Sequence, residues 1–119
     1  MLRQTAIWTV AILMGLFFVL VGLTKLAGPS AAQWALRLSR WGYPSAARYA
    51  IGGIEISAGL GLLVPSVRRF AAVALIVVMV GAFVTHLVHG EFVHLLPPLI
   101  LTGLSWGLYR WQPYASHKT

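Results

Sequence analysis

Cysteine is absent from the sequence, and acidic residues are almost absent. Without cysteine the chain forms no disulfide, ligates no iron–sulfur cluster and attaches no haem through a Cys-x-x-Cys-His motif. Its two acidic residues, Glu55 and Glu91, stand against nine lysines and arginines. In a soluble protein this excess would indicate nucleic-acid binding, but no RNP-like or helix-turn-helix pattern accompanies it. We therefore expect no nucleic-acid partner and neither of these redox centres.

Charged residues of both signs make up only 9% of the 119 residues, whereas soluble domains carry about 25%. The other extreme is a hydrophobic content of 59%. Long apolar segments cover residues 5–27, 45–64, 68–89 and 92–111. About 20 apolar residues in a helix cross the hydrocarbon core of a bilayer. The first segment is too long for the apolar part of a signal peptide, so we expect it to be a span.

These segments predict an all-α fold, with residues 1–119 forming a single integral membrane domain. Short connections favour an up-down-up-down four-helix bundle with both termini on one side. Five lysines and arginines fall on that side and four on the other. By the positive-inside rule, we expect cytoplasmic termini.

A short amphipathic helix is predicted over residues 30–41, between the first two spans. Trp34, Leu38 and Trp41 share its apolar face, and arginines project from its flank. Tryptophan is enriched at the headgroup level of membranes. We expect this helix to lie in the membrane interface.

Two prolines, Pro97 and Pro98, fall inside the fourth apolar segment, residues 92–111. Each removes a backbone donor, which leaves the carbonyls of Val93 and His94 without their helical partners. A kink in this span is therefore expected.

Glu55 is the residue hardest to accommodate in such a bundle, because it lies in the middle of the second span. A carboxylate there is costly unless it is protonated, paired or facing a polar cavity, and such residues are commonly functional. The alternating direction of the spans gathers the remaining polar candidates on the side opposite the termini. These are Lys25, Arg48, His86, His89, Glu91 and His94.

The partner of Glu55 stays open at this stage. Lys25 can pair with it, but counting residues leaves an axial gap of about 12 Å, and lysine normally extends toward water. Arg48 lies on the same helical face as Glu55, two turns away. A protonated Glu55 bonded to a backbone carbonyl or a hydroxyl is the third alternative.

We interpret Glu55, Lys25, Arg48 and His86 as a polar pocket that binds a ligand. His89, Glu91 and His94 are possible members of its rim. A quinone suits such a site, since its carbonyls accept hydrogen bonds and its ring packs on apolar side chains. The cofactor is otherwise unknown. Histidines at a membrane boundary commonly bond water or headgroups, so no metal site is predicted.

Small residues predict where the helices pack closely. One stripe lies on the first span, and two lie on nearly opposite faces of the second. The residues concerned are Gly15, Gly22, Gly52, Gly53, Ser57, Gly59 and Gly61.

Several short motifs carry a family resemblance. They are Phe17–Leu26 at the end of the first span, Gly42–Pro44, Gly53–Glu55, and Gly59–Pro65 followed by Arg68. In this order, over roughly the first 70 residues, the sequence resembles the DoxX-like membrane proteins. The last two spans match in hydropathy and in the position of His86.

The resemblance implies a four-helix protein of the bacterial inner membrane, with Lys25 and Glu55 on the polar positions of the family. Relatives are linked to membrane redox systems, including a quinone-reducing thiosulfate oxidoreductase. The expected function is a subunit or accessory of a redox system with a pocket for a quinone or another lipophilic molecule. A non-catalytic scaffold or anchor that assembles with partner proteins is the alternative. A small transporter or proton path, formed as an oligomer, is the third.

Besides the lipid bilayer, the expected partners are a redox subunit or further copies of the chain. Whether the chain has catalytic activity of its own is not decided by these residues.

Overall fold

The computed structural model describes residues 2–111 of the chain. These residues form five α-helices and no strand. The helices are α1 (Leu2–Leu26), α2 (Pro29–Arg40), α3 (Ala47–Leu62), α4 (Arg68–Val88) and α5 (Leu96–Arg110), with a 3-10 turn at Phe92–His94 before α5. The predicted all-α class is confirmed. The predicted domain runs on to residue 119, and its part beyond residue 111 lies outside the described residues.

Three stretches are long and apolar enough to cross a membrane: Leu2–Leu26, Arg68–Val88 and Phe92–Arg110. α3 has only 16 residues and is shorter than these. Large apolar side chains face outward from the bundle, as at Leu20, Phe70 and Val77, which are 63%, 76% and 66% exposed. Water would penalise such a surface, whereas lipid tails solvate it. Together these features indicate a protein that crosses the membrane more than once.

Glycines bring the backbones of α1 and α3 into direct contact. A Cβ at Gly22 would lie 2.7 Å from the carbonyl oxygen of Gly52, and one at Gly15 would lie 2.8 Å from that of Gly59. From one pair to the other the residue number falls on α1 while it rises on α3, so the two helices are antiparallel. Only residues without a side chain permit such an approach.

The second predicted small-residue stripe of α3 has a mixed environment. A Cβ at Gly61 would lie 2.9 Å from the Cβ of Ala71, so this glycine admits α4. A Cβ at Gly53 would meet nothing within 4 Å among the described residues. Ser57 is exposed. The stripe therefore packs against the chain at one end and borders an open groove at the other.

The helices follow one another around the bundle in the order α1, α3, α4 and α5. α3 packs on α4 and α4 packs on α5, while α1 and α5 touch only sparsely. α2 lies against α1 and α3 at the end where α1 finishes. Phe18, Leu62 and Leu75 are fully buried at the centre.

The expected kink at Pro97 and Pro98 is wrong. Both prolines lie in the first turn of α5, which begins at Leu96 after the 3-10 turn. A proline in the first turn loses no intrahelical hydrogen bond, because the first N–H groups of a helix have no such partner. The prolines therefore start a helix here instead of bending one.

The glycine contact makes a quantitative prediction for stability. Gly22→Ala forces a methyl group against the backbone of α3, so we expect the protein to lose about 1–3 kcal/mol of unfolding free energy. Gly53→Ala adds the same methyl where there is room, and alanine favours helix, so stability should stay equal or rise. Denaturant unfolding in detergent would measure both. Equal losses in the two variants would contradict the proposed close contact.

Candidate functional site

Lys25 and Glu55 form an ion pair inside the bundle. The Nζ atom of Lys25 lies 2.8 Å from Oε1 of Glu55, and the two side chains are 5% and 3% exposed. The sequence left the partner of Glu55 open, and in this structure the partner is Lys25.

The pair closes because of the direction in which helical side chains lean. Gly22 faces Gly52, which leaves Lys25 about six residues, or roughly 9 Å, from the level of Glu55 along the helix axis. Side chains on a helix lean toward its N-terminus. In the antiparallel pair, Lys25 therefore leans into the bundle and Glu55 leans toward the end where Lys25 lies. Counting backbone levels alone overestimates their separation.

An aromatic ring covers the other side of the lysine. The ammonium of Lys25 lies 4.0 Å from the ring centre of Trp34, and the guanidinium of Arg37 lies 4.9 Å from the same ring. Such cation–π contacts strengthen when water is excluded. At 2.8 Å the ammonium of Lys25 is within hydrogen-bonding distance of Oε1 of Glu55, so opposite charge and a hydrogen bond act together in this pair.

The ion pair lines a cavity of about 610 Å³. The size is in the range of small-molecule pockets. Its apolar wall comes from α1, α3, α4 and α5: Phe17, Phe18, Val21, Ile51, Val78, Met79, Ala82, Pro97, Pro98 and Leu101. Its polar and aromatic residues include Lys25, Trp34, Arg37, Arg40, Trp41, Tyr43, Glu55, Thr85, His86, Glu91 and His94.

Glu91 joins three segments at the rim of this cavity. One oxygen, Oε1, lies 2.8 Å from Nδ1 of His86 on α4. The other, Oε2, accepts a hydrogen bond of 3.3 Å from the indole of Trp41, just after α2. The ring of His94 lies 5.3 Å from that of His86. Glu91 thus ties the end of α2 to α4 and to the turn before α5.

A second bridge connects the same two regions. The hydroxyls of Tyr43 and Thr85 are 2.6 Å apart. Thr85 donates to the carbonyl of Gly81 at 2.8 Å, so the Tyr43 hydroxyl is the donor to Thr85. The segment after α2 is therefore fastened to α4 twice.

Two predicted residues have other contacts. Arg48 donates to the carbonyl of Lys25 at 2.9 Å and to the Tyr49 hydroxyl at 2.5 Å, and its guanidinium stacks on the Tyr49 ring. It therefore secures the end of α1 and is not the partner of Glu55. Nδ1 of His89 lies 2.8 Å from the carbonyl of Thr85, so this ring is bound to its own helix.

Several lining residues were missed by the sequence analysis as parts of a site. Trp34, Arg37 and Trp41 were assigned to membrane anchoring, but they line the cavity. Tyr43 was noted only as part of the Gly42–Pro44 motif, and Thr85 was not singled out. The available signal was the amphipathic pattern of α2, since a helix with an aromatic stripe can also cover a pocket.

The arrangement offers hydrogen-bond donors at one end of an apolar space. The ammonium of Lys25 can donate to a ligand oxygen, while the carboxylate of Glu55 balances its charge and can accept a proton. Among residues 2–111, no group of three or more His, Cys, Asp or Glu is placed to hold a metal ion. The site thus suits an amphiphilic organic molecule.

Comparison with known proteins gives one family. A family model described as the DoxX-like family matches residues 9–108. Comparison with curated proteins and with solved structures gives no match.

The buried ion pair predicts a strong coupling between its two members. Lys25→Met leaves an uncompensated carboxylate in the bundle, and we expect it to cost about 3–5 kcal/mol of unfolding free energy. Adding Glu55→Leu removes the orphaned charge and should recover much of that loss. Denaturant titration in detergent would measure this cycle, with exposed Arg110→Met as the control for a lost cation. Additive losses in the double variant would contradict the pairing.

The rim predicts a loss of stability in acid. The hydrogen bond from His86, followed by that from Trp41, holds the pKa of Glu91 below its usual range. A carboxyl group whose pKa is lowered in the folded state stabilises the protein at pH values above the ordinary glutamate pKa. This stabilisation is lost as the pH falls through the lowered pKa. Emission from Trp41 should therefore change at a pH below that at which an exposed glutamate titrates.

Glu91→Gln is the control for this transition, because glutamine cannot titrate. The variant should lack the acid step in Trp41 emission, and its stability should vary less with pH. An unchanged acid step in Glu91→Gln would assign the transition to another group.

Proposed function

The chain belongs to the DoxX-like family, and from this premise we propose that it binds a quinone or a similar lipophilic molecule inside the membrane. In this proposal it serves as a subunit or accessory of a membrane redox system. The observation that carries the proposal is the buried pair of Lys25 and Glu55 on the wall of the cavity. A charged pair at this depth is costly, and such residues commonly mark functional sites.

The chemistry of the lining supports a quinone-like head group. Quinone carbonyls accept hydrogen bonds, and the ammonium of Lys25 provides a donor on the wall of the cavity. The flat quinone ring of the ligand would pack against Phe18, Met79 and Leu101. Trp34 is already positioned to stack on charged or planar groups.

The proposed topology has four spans, with α3 as the short one. The glycine pairs support this assignment, because they bring the backbone of α3 against α1 and give the short helix a closely packed neighbour along its length. α2 would lie in the interface, with Leu38 buried beneath it. Cytoplasmic termini in a bacterial inner membrane complete the proposal.

The native tryptophans provide the test of ligand binding. Trp34 and Trp41 line the cavity, so a bound quinone should quench their emission in a saturable way. We expect purified protein in detergent to bind decylubiquinone, and Lys25→Met to weaken binding about tenfold by removing one charged donor. Arg48→Met is the matched control, because Arg48 contacts the carbonyl of Lys25 and Tyr49.

Replacing both reporters locates the signal. The protein with Trp34→Phe and Trp41→Phe should lose the saturable component and keep only collisional quenching of its other tryptophans. If wild-type protein shows no saturable quenching and copurifies with no quinone, the proposed ligand is wrong.

The alternative is a non-catalytic scaffold, which one observation favours. Small residues including Gly53, Ser57 and Gly61 line an open apolar groove of about 630 Å³ between α3 and α4. A helix of a partner subunit could approach closely there. If Gly53→Leu abolishes complex formation in membranes while Glu55→Gln leaves every phenotype intact, the scaffold account is favoured over the ligand site.

A further inference from the structure

The seam between α1 and α5 is loosely filled by the side chains of residues 2–111. α1 packs closely on α3, α3 on α4 and α4 on α5, but the ring is barely closed between α5 and α1. A four-helix arrangement buries its interior only if every neighbouring pair is in contact. The seam between α1 and α5 is therefore the most loosely packed junction between neighbouring helices of the ring.

Two cavities lie along this seam. The first is the cavity at Lys25 and Glu55, to which α1 contributes Phe17 and Val21 and α5 contributes Pro97 and Leu101. The second, of about 580 Å³, continues toward the other end of the bundle. Its lining is Arg3, Ala6, Ile7, Val10, Gly103, Leu104, Gly107, Leu108 and Trp111.

The residues of both cavities fall on the same two helical stripes. On α1 the stripe is Ala6, Val10, Phe17 and Val21, at spacings of four, seven and four. On α5 it is Pro97, Leu101, Leu104 and Leu108, at spacings of four, three and four. These spacings keep residues on one face of a helix. From Phe17 to Ala6 the seam extends for roughly 16 Å at the helical rise.

The two ends of this path differ in chemistry. At the inner end stands the buried charged pair, and along the rest of the path the walls are aliphatic apart from Arg3 and Trp111 at the outer end. Beside the charged pair, the rim is crossed by the contacts of Trp41 with Glu91 and of Tyr43 with Thr85. These two contacts narrow the rim as a way into the cavity.

We propose that the ligand of the cavity is a membrane-resident amphiphile whose long hydrocarbon tail lies in the seam between α1 and α5. Its polar head would contact Lys25, and the molecule would enter sideways from the lipid. This inference rests on the proposed function, because it concerns the same site, and it adds that the tail is recognised by the protein.

The tail is the occupant best matched to this groove. The groove lies one to two helical turns beyond the head-group site on α1 and α5, and its aliphatic walls offer few hydrogen-bonding side chains to a polar occupant. Gly103 leaves room on α5, since a Cβ there would meet nothing within 4 Å among the described residues. A tail that moves from lipid into this groove leaves one apolar environment for another, so it gains packing contacts but no hydrophobic free energy. Its contribution to the binding affinity is therefore modest.

The test compares two probes in reconstituted vesicles, read by quenching of Trp34 and Trp41. One is decylubiquinone, and the other is the same head group without a tail. We expect Gly103→Leu to weaken decylubiquinone binding about fivefold by filling the groove, and to leave binding of the tailless probe unchanged. Ala6→Leu, across the seam, should behave in the same way. Each probe partitions into the lipid to the same extent with every variant. We therefore compare the affinity of a variant with that of wild type for the same probe, so that partitioning drops out of the ratio.

Gly53→Leu is the matched control. Gly53 is also a helical glycine with open space around its Cβ position, but it lines the separate groove between α3 and α4. Both probes should bind this variant with wild-type affinity, which would show that the effect at Gly103 comes from the seam.

Other outcomes overturn the inference in distinguishable ways. If the tailless probe binds but Gly103→Leu leaves decylubiquinone affinity unchanged, the seam does not hold the tail and the proposed function survives. Equal weakening of both probes would show a structural effect on the cavity. If Gly103→Leu changes only the oligomeric state seen by cross-linking, the seam holds a second copy of the chain. Failure of both probes with wild-type protein would reject the proposed function itself.

Discussion

The contact between the backbones of α1 and α3 is the constraint on which the rest of the structure depends. Because Gly22 and Gly52 have no side chains, the two helices come close enough for an ion pair to form between them. A wider spacing would separate Lys25 from Glu55 and leave two charges unpaired inside an apolar bundle. The ion pair on the wall of the cavity therefore depends on the close contact that the glycines permit.

Much of this fold could be predicted because its signals are local. Apolar length predicted the helices, and the isolated Glu55 predicted where a polar site would lie. The fourth predicted segment does contain a stretch long and apolar enough to cross a membrane, but its prolines were misread. Their effect depends on the residue at which a helix begins, and helix starts are poorly defined in an apolar run.

The candidate site was harder to predict, because its members meet through side-chain direction. Arg48 and Glu55 share a helical face, yet Arg48 contacts the end of α1. Lys25 seemed too far from Glu55 because residue counting gives the positions of backbones and not the lean of long side chains. Trp34 has a pattern that fits both a membrane surface and a pocket, and only the position of α2 decides between them.

The short α3 also bears on how the protein is inserted into the bilayer. In the proposed topology, α3 enters the membrane with 16 residues, a carboxylate and four glycines at positions 52, 53, 59 and 61. Alone, such a segment partitions poorly into lipid. Lys25 neutralises its charge, and the glycines of α1 accept its backbone. In that topology insertion of α3 would be coupled to that of α1, and the first half of the chain would enter the membrane as one hairpin.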